Sequence, residues 1–154
     1  MTAALATVDT PTIRNARLRV RGAICIAAVW SLALILPAYS QLFDPANGQI
    51  VLQGYKVLGS GWIAIVAGQL AWLANPALLV LLVTLASRPF SDRASRIAAL
   101  LLLASLATMI DLGRRPEFNG YPQLLIGGWL WLANNLAAAV FAFVVTARHV
   151  SSKA

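Results

Sequence analysis

The sequence predicts an all-α membrane protein with four transmembrane helices. Of its 154 residues, 60% are apolar and only 11% are charged, where a soluble domain averages about 45–50% and about 25%. The apolar residues gather into four blocks separated by turn-forming segments, and mean hydropathy is +0.76. This pattern excludes a soluble globular fold. It sets spans at about 22–40, 62–86, 94–112 and 123–147, between a basic tail over 1–21 and a short tail over 148–154.

A span needs roughly 20 mostly apolar residues to cross about 30 Å of hydrocarbon. The first block, Gly22 to Ser40, contains no charge. It also reads as a signal sequence, with Arg14 to Arg21 as the basic region and Ala38-Tyr39-Ser40 as a small-residue cleavage site. The length of the basic region argues against cleavage. The second block runs from Trp62 to Ala86. The third is shortest and borrows Ala94, Ser95 and Arg96, with the arginine reaching toward the membrane surface. The fourth runs from Gln123 to Ala147. Asp44-Pro45-Ala46-Asn47-Gly48 and Arg115-Pro116 with Asn119-Gly120 are turn signals. Ser87 to Asp92 forms a compact connector, with Ser91 or Asp92 as a helix cap.

Lysine and arginine placement sets orientation, because cytoplasmic flanks carry the excess of positive charge. Nine of twelve lie on one side: Arg14, Arg17, Arg19, Arg21, Arg88, Arg93, Arg96, Arg148 and Lys153. Lys56, Arg114 and Arg115 lie on the other. Both termini are therefore expected in the cytoplasm, with the chain as a multi-pass protein of an inner membrane. The net charge of +7 then meets anionic lipid rather than nucleic acid.

Two outer segments read alike. Gly54-Tyr55 leads to Gly61-Trp62, and Gly120-Tyr121 leads to Gly128-Trp129. Downstream, Trp72-Leu73-Ala74-Asn75 recurs as Trp131-Leu132-Ala133-Asn134, although the spacing differs. One reading is two same-orientation helical hairpins related by internal duplication. The other is chance, since Gly, Trp and Leu are abundant here.

A polar side chain inside a span must find a partner, because lipid offers none. Gln69, Asn75, Asn134 and Asn135 fall within spans two and four, which run in the same direction and place them near the midplane. Pro76 withholds the hydrogen bond to the Trp72 carbonyl and is expected to kink span two. This candidate polar site (Gln69, Asn75, Pro76, Asn134, Asn135) has two readings. It is a ligand or ion site, or it is hydrogen-bonded glue between helices. The absence of an ionisable group beside it favours glue, with Asn75 expected to face Asn134 or Asn135. Gly61, Ala64, Gly68 and Ala71 form a small-residue seam suited to close helix approach. Tyr55, Trp62, Tyr121 and Trp129 suit the outer interfacial aromatic belt. Trp72 and Trp131 lie deeper and need an acceptor for each indole N–H.

The residue inventory narrows the chemistry. Cys25 has no second cysteine, so thiol–disulfide exchange lacks its partner. His149 is the sole histidine, which leaves no paired haem or metal ligand. Asp44, Asp111 and Glu117 lie at the outer side and read either as an acidic cluster or, preferred with Lys56, Arg114 and Arg115 nearby, as surface ion pairs, and no carboxylate sits at a span centre. No nucleophile–base pair or phosphate-binding glycine loop is present. No catalytic residue, cofactor or metal is expected, and the chain reads as a non-enzyme.

Gly54-Tyr55-x-x-Leu58-x-x-Gly61-Trp62, followed by Ala71-Trp72-Leu73-Ala74-Asn75-Pro76, resembles a group of small four-span bacterial inner-membrane proteins without assigned function. The resemblance covers Gly54 to Pro76 and implies a bacterial inner-membrane location. Three functional readings follow, in order of preference. The first is a structural or accessory membrane component, as a homo-oligomer or with a membrane-protein partner. The second is a small transporter or channel using the midplane polar site. The third is an intramembrane lipid- or quinone-binding protein.

Overall fold

The computed structural model describes residues 10–42, 49–66, 70–87, 92–112 and 123–151. The chain is mostly helical, and two helices are long and apolar enough to cross a membrane, over Asn15–Ile35 and Ile126–Ala147. Leu70–Ala86 is a shorter apolar helical stretch.

Helix α1 spans Thr10–Ile35. Pro11 sits in its first turn, where a missing N–H costs nothing. The helix therefore runs through much of the segment expected as a basic tail. It stops at Ile35, short of the expected Ser40, because Pro37 disfavours helical geometry at Leu36. From Pro37 the chain becomes strand β1 (Pro37–Leu42), which pairs antiparallel with β2 (Gln49–Gln53) and with β3 (Gln123–Leu124). The strand order is β2-β1-β3. Pro37 is the first residue of the central strand, a position where proline is tolerated, and the register shifts between Pro37 and Tyr39.

The second apolar block is not one helix. It is preceded by α2 (Gly54–Ser60) and contains α3 (Ile63–Val66), a 3-10 turn (Leu70–Leu73) and α4 (Ala74–Ala86). Pro76 is the third residue of α4, so it helps to start a helix rather than kinking one already formed. Helix α5 covers Asp92–Leu112, with Asp92 in its first turn where the helix dipole favours a carboxylate. Helix α6 covers Ile126–Ser151 and extends into the expected C-terminal tail.

The helices pack in the cyclic order α1, α6, α5, α4, and α4 closes back onto α1. Every adjacent pair is antiparallel by connectivity, and the sheet lies at the end where α1 finishes and α6 begins. The core pairs leucine on α4 with alanine on its neighbours. Leu78, Leu81 and Leu85 meet Ala98, Ala99 and Leu102 of α5 and Ala138, Ala139 and Ala142 of α6, all buried. Small residues permit this close approach. At Gly22, an added Cβ would strike the Phe141 ring, so that glycine sets the α1–α6 spacing.

The sheet end is tied by backbone bonds. Leu36 O accepts from Gly54 N at 3.1 Å, and Ala38 O accepts from Leu125 N at 2.9 Å. A Cβ at Gly54 would meet the Ala33 carbonyl, and one at Gly128 would meet the Leu124 side chain. Gly54 and, on the α6 side, Gly127 and Gly128 thus pack on the backbone of the α1–β1 junction, whereas Gly120 and Tyr121 lie outside the described residues. The segments that follow differ: one is broken into short helices, and the other is the continuous α6.

Candidate functional site

Asn75 is the second residue of α4 and is buried. Its carboxamide oxygen accepts two indole N–H bonds, from Trp131 Nε1 at 2.9 Å and from Trp30 Nε1 at 3.3 Å. Its amide nitrogen donates to the Trp72 carbonyl at 3.2 Å. That carbonyl is the one Pro76 cannot serve, since Pro76 has no N–H. The proline and the asparagine therefore work together, and the expected free carbonyl is capped by the adjacent side chain. One carboxamide joins α1, α4 and α6.

Trp72 supplies the next layer. Its Nε1 donates to the Leu58 carbonyl at 2.9 Å, which ties the 3-10 turn to α2. The space for its ring comes from Gly61, where a Cβ would strike the indole. The small-residue seam expected along span two thus has a different use at Gly61, which accommodates an aromatic ring of its own segment. Ala71 is buried in the 3-10 turn, which packs on α5. The side chain of Ala64, and Gly68, lie outside the described residues.

Asn134 and Asn135 are buried, as expected of polar residues in a span. The expected bond from one of them to Asn75 is not formed, and the position opposite Asn75 on α6 is held by Trp131. Asn75 is therefore about one helical turn closer to the sheet than the two α6 asparagines. The register differs from expectation because the 62–86 segment begins as broken helix, so equal residue counts do not give equal depth. The cluster also lies off centre. Trp30 is five residues from the end of α1, about 7.5 Å along its axis. Asn135 Nδ2 donates to the Trp131 carbonyl of its own helix at 2.7 Å. Asn135 Oδ1 and Asn134 Nδ2 are buried without a hydrogen-bond partner among the described residues. Gln69, expected in the same layer, lies outside the described residues.

The candidate belt residues Tyr55, Trp62 and Trp129 are all more than half exposed, at 53%, 54% and 59%. They surround the sheet end. Tyr121 lies outside the described residues. Tyr39, on β1, is half-buried, and loss of hydration pushes its phenol pKa above the ordinary value. Trp30 was the member of the cluster that sequence reasoning missed. It sits in an apolar stretch of α1 beside Ser31, whose hydroxyl is bonded within the helix to the Ala27 carbonyl, and only the fold brings it to Asn75.

At the opposite end, Arg96, expected to reach toward a membrane surface, is bonded within the bundle. Its Nε donates to Thr146 Oγ1 at 3.0 Å and its Nη2 to the Thr146 carbonyl at 3.2 Å, locking α5 to α6. Arg19 of α1 reaches across the bundle to Asp92 of α5 at 3.1 Å.

Comparison of the chain with protein-family models, with curated proteins and with solved structures finds no match.

Proposed function

We propose that this protein is a non-enzymatic, structural or accessory component of a bacterial inner membrane. In this reading it crosses the bilayer four times, through α1, the 63–86 segment, α5 and α6, with both termini cytoplasmic. Apolar exposure around the bundle supports the membrane part. Ile24 and Leu32 on α1, Val80 and Val83 on α4, Leu100 and Leu101 on α5, and Leu136 and Val140 on α6 are each at least 44% exposed. A soluble monomer rarely carries so continuous an apolar surface. Only 17% of the apolar window in α1 is buried, unlike the core helix of a soluble domain. The basic residues near the end away from the sheet agree with the proposed orientation. The sequence motif over Gly54–Pro76 supports the family reading, and the recurrence of Trp72-Leu73-Ala74-Asn75 as Trp131-Leu132-Ala133-Asn134 supports the duplication reading.

The observation that carries the structural role is the use of Asn75. Its oxygen and its nitrogen both bond to protein groups of the bundle, so the most polar part of span two acts as a fastening. The test is purification from native membrane in mild detergent. A stoichiometric protein partner or a defined homo-oligomer is the expected result. A protein that is monomeric and partner-free under conditions preserving other complexes overturns the reading.

One observation favours the transporter alternative: the unpaired Asn134 Nδ2 and Asn135 Oδ1 inside the bundle. Under that alternative the two amides border a polar path. Solute flux in reconstituted vesicles, lost on Asn135→Leu at unchanged protein level, would support it over the structural role.

A further inference from the structure

The end of the bundle away from the sheet holds a second polar cluster. Arg19 spends Nη1 on Asp92 Oδ1, with the two side chains only 16% and 20% exposed. Its Nε and Nη2 are buried and have no hydrogen-bond partner among the described residues. Those two nitrogens share one edge of the guanidinium, and that edge is the fork that meets two oxygens of an oxyanion side by side. Ser95 lies one turn along α5 from Asp92, on the same helix face. It is fully buried, and its Oγ also lacks a partner. Arg96 is committed to Thr146 and cannot supply acceptors.

The charge balance points the same way. Asp92 meets the Arg19 guanidinium, and the exposed Arg17 and Arg21 on α1 and Arg93 on α5 add positive charge to the same two helices. A buried cationic fork left open on one edge is costly, and an anion with two adjacent oxygens closes it. We propose that Arg19 and Ser95 form a site for a phosphate-type oxyanion, with two oxygens on Nε and Nη2 of Arg19 and Ser95 Oγ as the further donor. Two sources present this chemistry, the phosphate of an anionic lipid headgroup and free phosphate. The lipid source rests on the membrane reading above, whereas free phosphate does not.

The test uses the full chain, delipidated in mild detergent and placed in phosphatidylcholine nanodiscs. The thermal unfolding midpoint is followed against added phosphatidylglycerol and, separately, inorganic phosphate. Retained phospholipid is counted by native mass spectrometry. A rise with phosphatidylglycerol alone identifies the headgroup, and a rise with phosphate as well identifies a free-anion site. Arg19→Lys keeps the charge and loses the fork, and should weaken the response about tenfold, the size of one charge-assisted hydrogen bond. Ser95→Ala should weaken it less, and Arg17→Gln should leave it unchanged. No midpoint shift with either anion overturns the proposal, as does an equal loss for Arg17→Gln and Arg19→Lys. If Arg19→Lys fails to fold, the wild-type titrations together with Ser95→Ala and Arg17→Gln decide the matter. A chain that does not enter nanodiscs counts against the membrane reading, and the phosphate titration in detergent still decides the free-anion site.

Discussion

Trp131 donates its indole N–H to Asn75 Oδ1 across 2.9 Å, joining residues 56 positions apart in the chain. Helices α4 and α6 stand diagonally in the bundle, so this bond ties a pair that otherwise touch little. The Arg19–Asp92 bridge ties the other diagonal, α1 to α5, at the opposite end. The bundle is therefore cross-braced at both ends by polar contacts, with alanine and leucine packing between them.

Asn75→Leu removes the acceptor for two indoles and the cap on the Trp72 carbonyl. Interhelical hydrogen bonds in membranes contribute on the order of 0.6–2 kcal/mol each, so the variant should lose about 2 kcal/mol or more. Unfolding in mixed micelles, followed by tryptophan fluorescence, measures it. A loss below about 0.5 kcal/mol would mean that the fastening is not needed.

Trp30→Phe and Trp131→Phe each delete one indole donor while keeping most of the ring. The Trp131 bond is shorter, 2.9 against 3.3 Å, so its loss should cost more. Because both donors share one oxygen, the double variant should cost less than the sum of the two, by about 0.5 kcal/mol or more. Strict additivity in a double-mutant cycle would show that the two bonds are independent.

Gly59 and Gly61 separate two roles of glycine in one segment. A Cβ at Gly59 meets nothing within 4 Å, while at Gly61 it strikes the Trp72 ring. Gly59→Ala should be neutral or stabilising by about 0.5–1 kcal/mol. Gly61→Ala should destabilise by about 1–3 kcal/mol, because it overpacks the indole. The same unfolding assay compares them, and equal effects would contradict this arrangement.

Asn135 occupies a fully buried position, and its Oδ1 has no partner. If its role is packing, Asn135→Leu removes an unpaired acceptor and should leave the unfolding midpoint unchanged or raise it. A fall of several degrees would instead mean that the amide is bonded to something the bundle itself does not supply.

Tyr39 gives the pH dependence. Burial disfavours its phenolate and raises its pKa in the folded state above the unfolded value of 10.0. Its contribution to stability is therefore complete below pH 10 and is lost as pH rises through the folded-state pKa. Spectrophotometric titration should show one tyrosine ionising late, and Tyr39→Phe should remove that phase together with part of the alkaline destabilisation. A Tyr39→Phe variant with the same titration curve would assign the late phase elsewhere.

Several features were legible in the chain itself. Apolar composition and block length predicted the helices of α1 and α6, because a run of that length allows few other ways to satisfy its backbone. The need of Trp131 and Trp72 for acceptors was also readable, since a buried indole N–H demands one. The local pattern around Pro76 showed that the Trp72 carbonyl would be released.

Which group answered each need was decided by tertiary structure. Pro37 carries a signal that a helix should end, yet only pairing with 49–53 and 123–124 turned the next residues into a strand rather than a loop. β-Pairing is non-local, and a short segment shows little of it. Trp30 meets Asn75 only because α1 packs beside α4. Trp131, rather than Asn134 or Asn135, faces Asn75 because the 62–86 segment begins as short broken helices, which shifts its depth against α6. Composition and periodicity determined that this chain forms apolar helices with buried polar groups. The packing of those helices determined which polar groups meet, because a hydrogen bond depends on register to within an ångström and a hydropathy pattern does not.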